Sequence, residues 1–133
     1  MPPSEHVRGP GAGVLGAAAV LGGLAVAAGA LGAHYLKDQL GPQQLDTWAT
    51  AAQYQMYHAL ALLVVARLIS RRSTPLLRAA VWFFVLGIVL FSGSLYALAL
   101  TGETWLGYFT PAGGVALVAG WGCFAVSSMR ARG

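Results

Sequence analysis

The sequence predicts an all-α integral membrane protein, a four-helix transmembrane bundle with both termini on the cytoplasmic side. Three observations carry that prediction. Only 9% of the 133 residues are charged and 57% are hydrophobic, against about 25% charged in an ordinary soluble domain. Four uncharged stretches follow one another: the about 28 residues between Arg8 and Lys37, then Thr47–Ala66, Ala79–Gly102 and Thr104–Met129. Each reaches the roughly 20 residues that a helix needs to cross the hydrocarbon layer. The basic residues, finally, fall on one side once four spans are threaded. Arg8 precedes the first span, Arg67, Arg71, Arg72 and Arg78 bracket the second connection, and Arg130 and Arg132 follow the last span. Lys37, Asp38, Asp46 and Glu103 lie in the other two connections. Loops rich in Lys and Arg stay in the cytoplasm.

The net charge of +4 is therefore a topology signal, and no nucleic-acid partner is predicted. The partner implied is the lipid bilayer. Cys123 is the only cysteine, which excludes an intrachain disulfide and a thiolate metal centre. One domain is expected, with a flexible tail over 1–11, spans at about 12–36, 47–70, 77–100 and 110–129, and a basic end at 130–133. Ala28-Gly29-Ala30 resembles a signal-peptidase site, but the apolar run before it is long for a signal peptide, and span 1 is read as retained.

Span 1 is Ala/Gly/Val/Leu-rich. Ala25, Gly29 and Ala33 are spaced four apart, with Gly32 beside them, a small-residue face that admits a neighbouring backbone. Span 1 is thus predicted to be the packed spine. Gly41-Pro42 starts the second helix, since proline at a first helical position forfeits no hydrogen bond. No Gly or Pro interrupts Gln43–Arg72, so one helix of roughly 45 Å is allowed. Its first turns are predicted to project into the outer interface, with Trp48 at headgroup level. Thr74-Pro75 and Thr110-Pro111 read as a hydroxyl cap followed by proline and mark the starts of spans 3 and 4. Gly93, Gly113 and Gly114 are further packing positions on those spans. Trp121 reads as core or lipid-facing filler.

Polar residues concentrate in one zone. On span 2, Thr47, Thr50, Tyr54, Tyr57 and His58 share a stripe about 100° wide, flanked by Gln53 and Gln55. Span 3 carries Ser92, Ser94 and Tyr96. Counting from Arg71 and Arg78 along antiparallel helices places His58 level with Ser92, and Tyr54 with Tyr96. His34 closes span 1 and Thr110 opens span 4 at the same side, so all four helices contribute to an outer-leaflet cluster. Two uses of such a cluster compete: interhelical hydrogen bonds that hold the bundle, or a site built round an ionisable group within the membrane, here His58. Two histidines with no acidic or thiol partner make no zinc site, and no metal or cofactor is predicted. Axial haem ligation by His34 and His58 is disfavoured by their different heights. No acidic residue lies within a span, so no catalytic triad or carboxylate pair forms, and an enzyme is not predicted.

The motifs GALGAH (Gly29–His34), W-x-T-A-x-x-Y-Q-x-x-H (Trp48–His58), LFSGSLY-x-LAL (Leu90–Leu100) and TP-x-GG followed by GW (Thr110–Gly114, Gly120-Trp121) occur in order along most of the chain. In these the chain resembles the YgdD-like family of small, functionally uncharacterised bacterial inner-membrane proteins. Leu31 stands where an aromatic is expected, and the Pro/Gly-rich N-terminus has no counterpart. The resemblance implies a bacterial inner-membrane location and supplies no catalytic residues. The leading expectation is a non-enzymatic protein whose polar cluster holds the bundle and accommodates a lipid or quinone headgroup. The alternatives are an oligomeric transporter or channel, and an accessory subunit docking through span 1.

Overall fold

A computed structural model describes residues 9–132. The expected tail over 1–11 and the contribution of Arg8 fall largely outside the described residues. Four helices run in sequence: α1 (Ala12–His34), α2 (Pro42–Arg71), α3 (Pro75–Thr101) and α4 (Phe109–Arg130). Short 3₁₀ turns at Leu36–Asp38 and Thr104–Tyr108 lead into α2 and α4.

The boundaries follow local chemistry. Gly41 precedes α2 and Pro42 occupies its first position, with the Gln44 side-chain carbonyl accepting the Gly41 N–H at 3.1 Å. Proline disfavours helical backbone at the residue before it, so α2 ends at Arg71 and Thr74 is extended ahead of Pro75. Thr74 Oγ1 accepts the Leu77 N–H at 3.2 Å, capping α3. Gly102, at φ 72°, closes α3 in the left-handed region where only glycine sits without strain. Thr110 does not cap α4. The preceding 3₁₀ turn runs directly into Phe109, and the Thr110 hydroxyl is used elsewhere, bonded to Ser94 Oγ at 2.7 Å.

Neighbouring helices pack in sequence, α1 on α2, α2 on α3 and α3 on α4. The predicted spine is therefore wrong. Only Ala18 and Ala25 of α1 are buried, whereas α2 buries residues along its length, from Trp48 to Ile69. Sequence position explains this, because α1 has one neighbour and α2 has two. Where α1 meets α2, the closed positions are Ala18, Leu21, Ala25, Ala28 and Gly32, alternating three and four apart. They face Trp48, Ala52, Gln55, Ala59, Leu62, Ala66 and Ile69 of α2, which alternate in the same way. This is the seam of two helices packed nearly antiparallel. Ala25 lies in it, but Gly29 and Ala33 lie outside and line an open groove of about 520 Å³ between α1 and α2.

The α3–α4 contact is closer. A Cβ at Gly113 would overlap the Phe91 backbone, and one at Gly120 would sit 2.7 Å from the Phe84 ring. Gly87 likewise admits Leu117. Gly114 makes ordinary contact with Phe91, and Gly93, expected to pack, has nothing within 4 Å. The main core joins Leu62, Val65, Leu77, Phe84 and Leu117 in the arginine-rich half of the molecule. A smaller one joins Leu36, Trp48 and Ala99 at the far end.

Three stretches, Ala12–Asp38, Pro75–Thr101 and Thr104–Arg130, are long and apolar enough to cross a membrane. With 30 residues α2 is the longest helix, yet its first half, PQQLDTWATAAQYQ, keeps it below that hydropathy.

Candidate functional site

The polar first half of α2 is organised as a ladder. At five positions spaced three or four apart, a group on α2 bonds another helix. Gln44 Nε2 donates to the Ala99 carbonyl at 3.0 Å, and Trp48 Nε1 donates to the Ala28 carbonyl at 2.7 Å. The Ala51 carbonyl accepts from Ser92 Oγ at 2.7 Å. Gln55 works in both directions, its Nε2 donating to the Leu21 carbonyl and its Oε1 accepting the Tyr96 hydroxyl, each at 2.8 Å. His58 ends the ladder, its Nε2 accepting the Trp121 indole N–H at 3.1 Å. One residue type after another on α2 thus reaches α3, α1, α3, both, and finally α4. Beyond His58 the same seam continues as Ala59, Leu62 and Val65 without polar groups. Among the described residues no buried side-chain nitrogen or oxygen lacks a partner.

The partners fix the tautomer of His58. Its Nδ1 lies 2.6 Å from the Tyr54 carbonyl, which can only accept. The Trp121 indole can only donate. Nδ1 therefore carries the proton and Nε2 offers its lone pair, a neutral ring held at both nitrogens.

The register differs from the predicted one. Ser92 bonds Ala51, seven residues before His58, a displacement of about 10 Å. His58 lies instead beside Phe84, with ring centroids 5.6 Å apart. Heights counted from arginines mislead because long cationic side chains reach to the interface from different depths, and Arg78 sits one turn inside α3, which starts at Pro75. Tyr96 meets Gln55 and, edge-on at 4.6 Å, Trp48. Trp48 is accordingly buried at 7% exposure and is no interfacial anchor.

The buried face is also turned about one residue from the predicted stripe. Thr47 and Thr50 bond the carbonyls of Gln43 and Asp46 on their own helix. Tyr54 and Tyr57 are exposed, and neither hydroxyl bonds a described residue. Gln53 faces the α1–α2 groove. Ser94 meets Thr110, so this pair joins α3 to α4 apart from the ladder. His34 is exposed at the end of α1, beyond Trp48, which touches Ala28 and Gly32. It does not join His58. Trp121, Trp48 and Gln44 are the ladder side chains that sequence reasoning missed. An indole N–H within an apolar span needs an acceptor whether its ring is buried, as in Trp48, or partly exposed, as in Trp121, and that was the available signal.

Beside the ladder, a groove of about 640 Å³ opens between α2 and α4. Tyr54, Tyr57, His58, Phe91 and Trp121 form its aromatic walls, and Gly114, Val115 and Val118 its α4 floor. The Tyr54 ring packs 4.6 Å from Phe91. No three His, Cys, Asp or Glu side chains converge among the described residues.

Helices this apolar, tied to one another by buried polar contacts, define a helical membrane protein. The chain belongs to the family described as "Protein of unknown function (DUF423)", whose model matches residues 28–114. It is 45% identical over 118 residues to the UPF0382 membrane protein YwdK of Bacillus subtilis, covering 88% of this chain and 94% of that one. A UPF0382 membrane protein of Staphylococcus epidermidis is 44% identical over 110 residues, 83% of this chain and 89% of its own. The UPF0382 inner membrane protein YgdD of Escherichia coli K12 is 41% identical over 113 residues, 85% and 86% respectively. These names specify a membrane location and no reaction. No solved structure matches the chain.

Proposed function

We propose that this is a four-span, non-enzymatic protein of the bacterial inner membrane, with both termini cytoplasmic, whose α2–α4 groove binds a small amphiphile such as a lipid or quinone headgroup. The ladder supports α2 as the fourth span. Polar groups that are paired between helices remove most of the penalty they would meet in hydrocarbon. The six arginines at one end of the described helices support the orientation. The observation that carries the binding reading is the groove itself. Its walls are aromatic, its volume of about 640 Å³ lies in the range of ligand pockets, and the Tyr54 and Tyr57 hydroxyls bond no described residue. His58 shapes the wall and takes no part in hydrogen bonding to the guest, since both its nitrogens are committed.

Native mass spectrometry of gently extracted protein tests the reading, with Gly114→Leu as the decisive variant. A Cβ at Gly114 makes only an ordinary contact with Phe91, so the larger side chain fills the groove without parting the helices. The parent protein is expected to retain an amphiphile and the variant to lose it. Equal retention by both would refute the site. Reporter fusions in the Gly102–Tyr108 connection test the topology, and cytoplasmic activity there would refute it. A second reading, docking to a partner through α1, rests on the open space above Gly13, Gly16, Gly23 and Gly29. The same spectra report it as an oligomer or heteromer mass.

A further inference from the structure

At the arginine-rich end, we infer that the cleft between the start of α3 and the end of α4 binds the phosphate of an anionic phospholipid, with Arg72 and Arg130 as its ligands. The cleft has a volume of about 360 Å³ and is lined by Arg72, Thr74, Pro75, Leu76, Ser127 and Arg130. Arg72 is half-buried and positioned, its Nη2 donating to the Ser127 carbonyl at 3.0 Å. The rest of its planar fork is left for a second acceptor. Arg130 stands three residues beyond Ser127, one turn along α4, so the two guanidinium groups flank one opening. The floor is polar, since Thr74 Oγ1 and Ser127 Oγ lie 3.2 Å apart.

Charge decides what fits. The described acidic residues all lie at the far end, Asp38 and Glu103 in the two connections there and Asp46 in the first turns of α2. At this end Arg67, Arg71, Arg72, Arg78, Arg130 and Arg132 have no carboxylate among the described residues to pair with. The Leu77 N–H is taken by Thr74 and Pro75 has none, so the Leu76 N–H adds an open donor at the positive end of α3. A phosphate accepts paired N–H donors from arginine in the geometry that such a fork presents. Helix ends of a membrane protein lie at the depth of lipid phosphates, and basic pockets between helices there suit anionic headgroups. A zwitterionic headgroup would bring its own ammonium among six like charges, so a net-negative lipid is selected.

Native mass spectrometry of the detergent-solubilised full chain, titrated with phosphatidylglycerol or phosphatidylcholine, tests this. Phosphatidylglycerol should bind at lower concentration. Arg130→Ala should weaken it about tenfold, the loss of one charge-assisted contact. The Arg130 side chain is exposed and bonds no described residue, so the variant keeps the fold. Arg132→Ala, outside the cleft, should leave binding unchanged. Equal binding of the two lipids, or equal effects of the two substitutions, would overturn the inference. So would inorganic phosphate competing for the cleft at the same concentration as the lipid, which would identify a soluble anion as its ligand.

Discussion

Gln55 is the one residue of the ladder that ties three helices together, and replacing it with leucine is the sharpest test of that arrangement. Leucine preserves most of the volume, so the cavity term is small. What is lost is two interhelical bonds of 2.8 Å, to the Leu21 carbonyl and from the Tyr96 hydroxyl. Such bonds within membranes average about 0.6 kcal/mol and reach about 1.7 kcal/mol. The Leu21 carbonyl keeps its place in the α1 backbone ladder, but the half-buried Tyr96 hydroxyl is left without a partner, which raises the total to about 2 kcal/mol. Tyr96→Phe alone removes one bond and strands Gln55 Oε1, at about 1 kcal/mol. The double variant strands neither group and should lose only the two bonds, about 1 kcal/mol, a coupling of about 2 kcal/mol. Reversible unfolding in mixed micelles, followed by tryptophan fluorescence, gives all four stabilities. Additive losses, or a Gln55→Leu variant as stable as the parent, would refute the ladder.

Two further predictions probe neighbouring contacts. Gly113→Ala forces a methyl group onto the Phe91 backbone, which cannot swing aside, and should cost about 1–3 kcal/mol in the same unfolding assay. Gly93→Ala points into open space and should be neutral or stabilising by up to about 1 kcal/mol; similar losses for the two would contradict the α3–α4 approach. Nitrogen-15 spectra should find the His58 proton on Nδ1, with the Nε2 resonance shifting on Trp121→Phe, because that change removes the indole donor from Nε2. A proton on Nε2 would dismiss the Trp121 contact.

The helix boundaries were legible because they are local. Pro42, Thr74-Pro75 and Gly102 each act through the backbone of a few adjacent residues. The seam on α2 was half legible. Its period is visible in Trp48, Gln55 and His58, yet the half-buried Thr50 and the exposed Tyr54 and Tyr57 have the same spacing one residue away. Polarity alone could not choose between the stripes, since an exposed tyrosine and a buried glutamine look equally anomalous in an apolar helix.

The amino-acid order by itself determined an apolar chain that belongs in a membrane, four helices, and a polar zone confined to the first half of α2. Only the tertiary structure decided which groups meet. Ser92 finds Ala51 and not His58 across the α2–α3 seam, and His58 finds Trp121 on α4, where the glycines at 87, 113 and 120 let α4 close on α3. Register between antiparallel helices comes from such contacts across the interface, and a shift of two turns costs nothing in local sequence preference. Charge heights along each helix carry too little resolution to distinguish them.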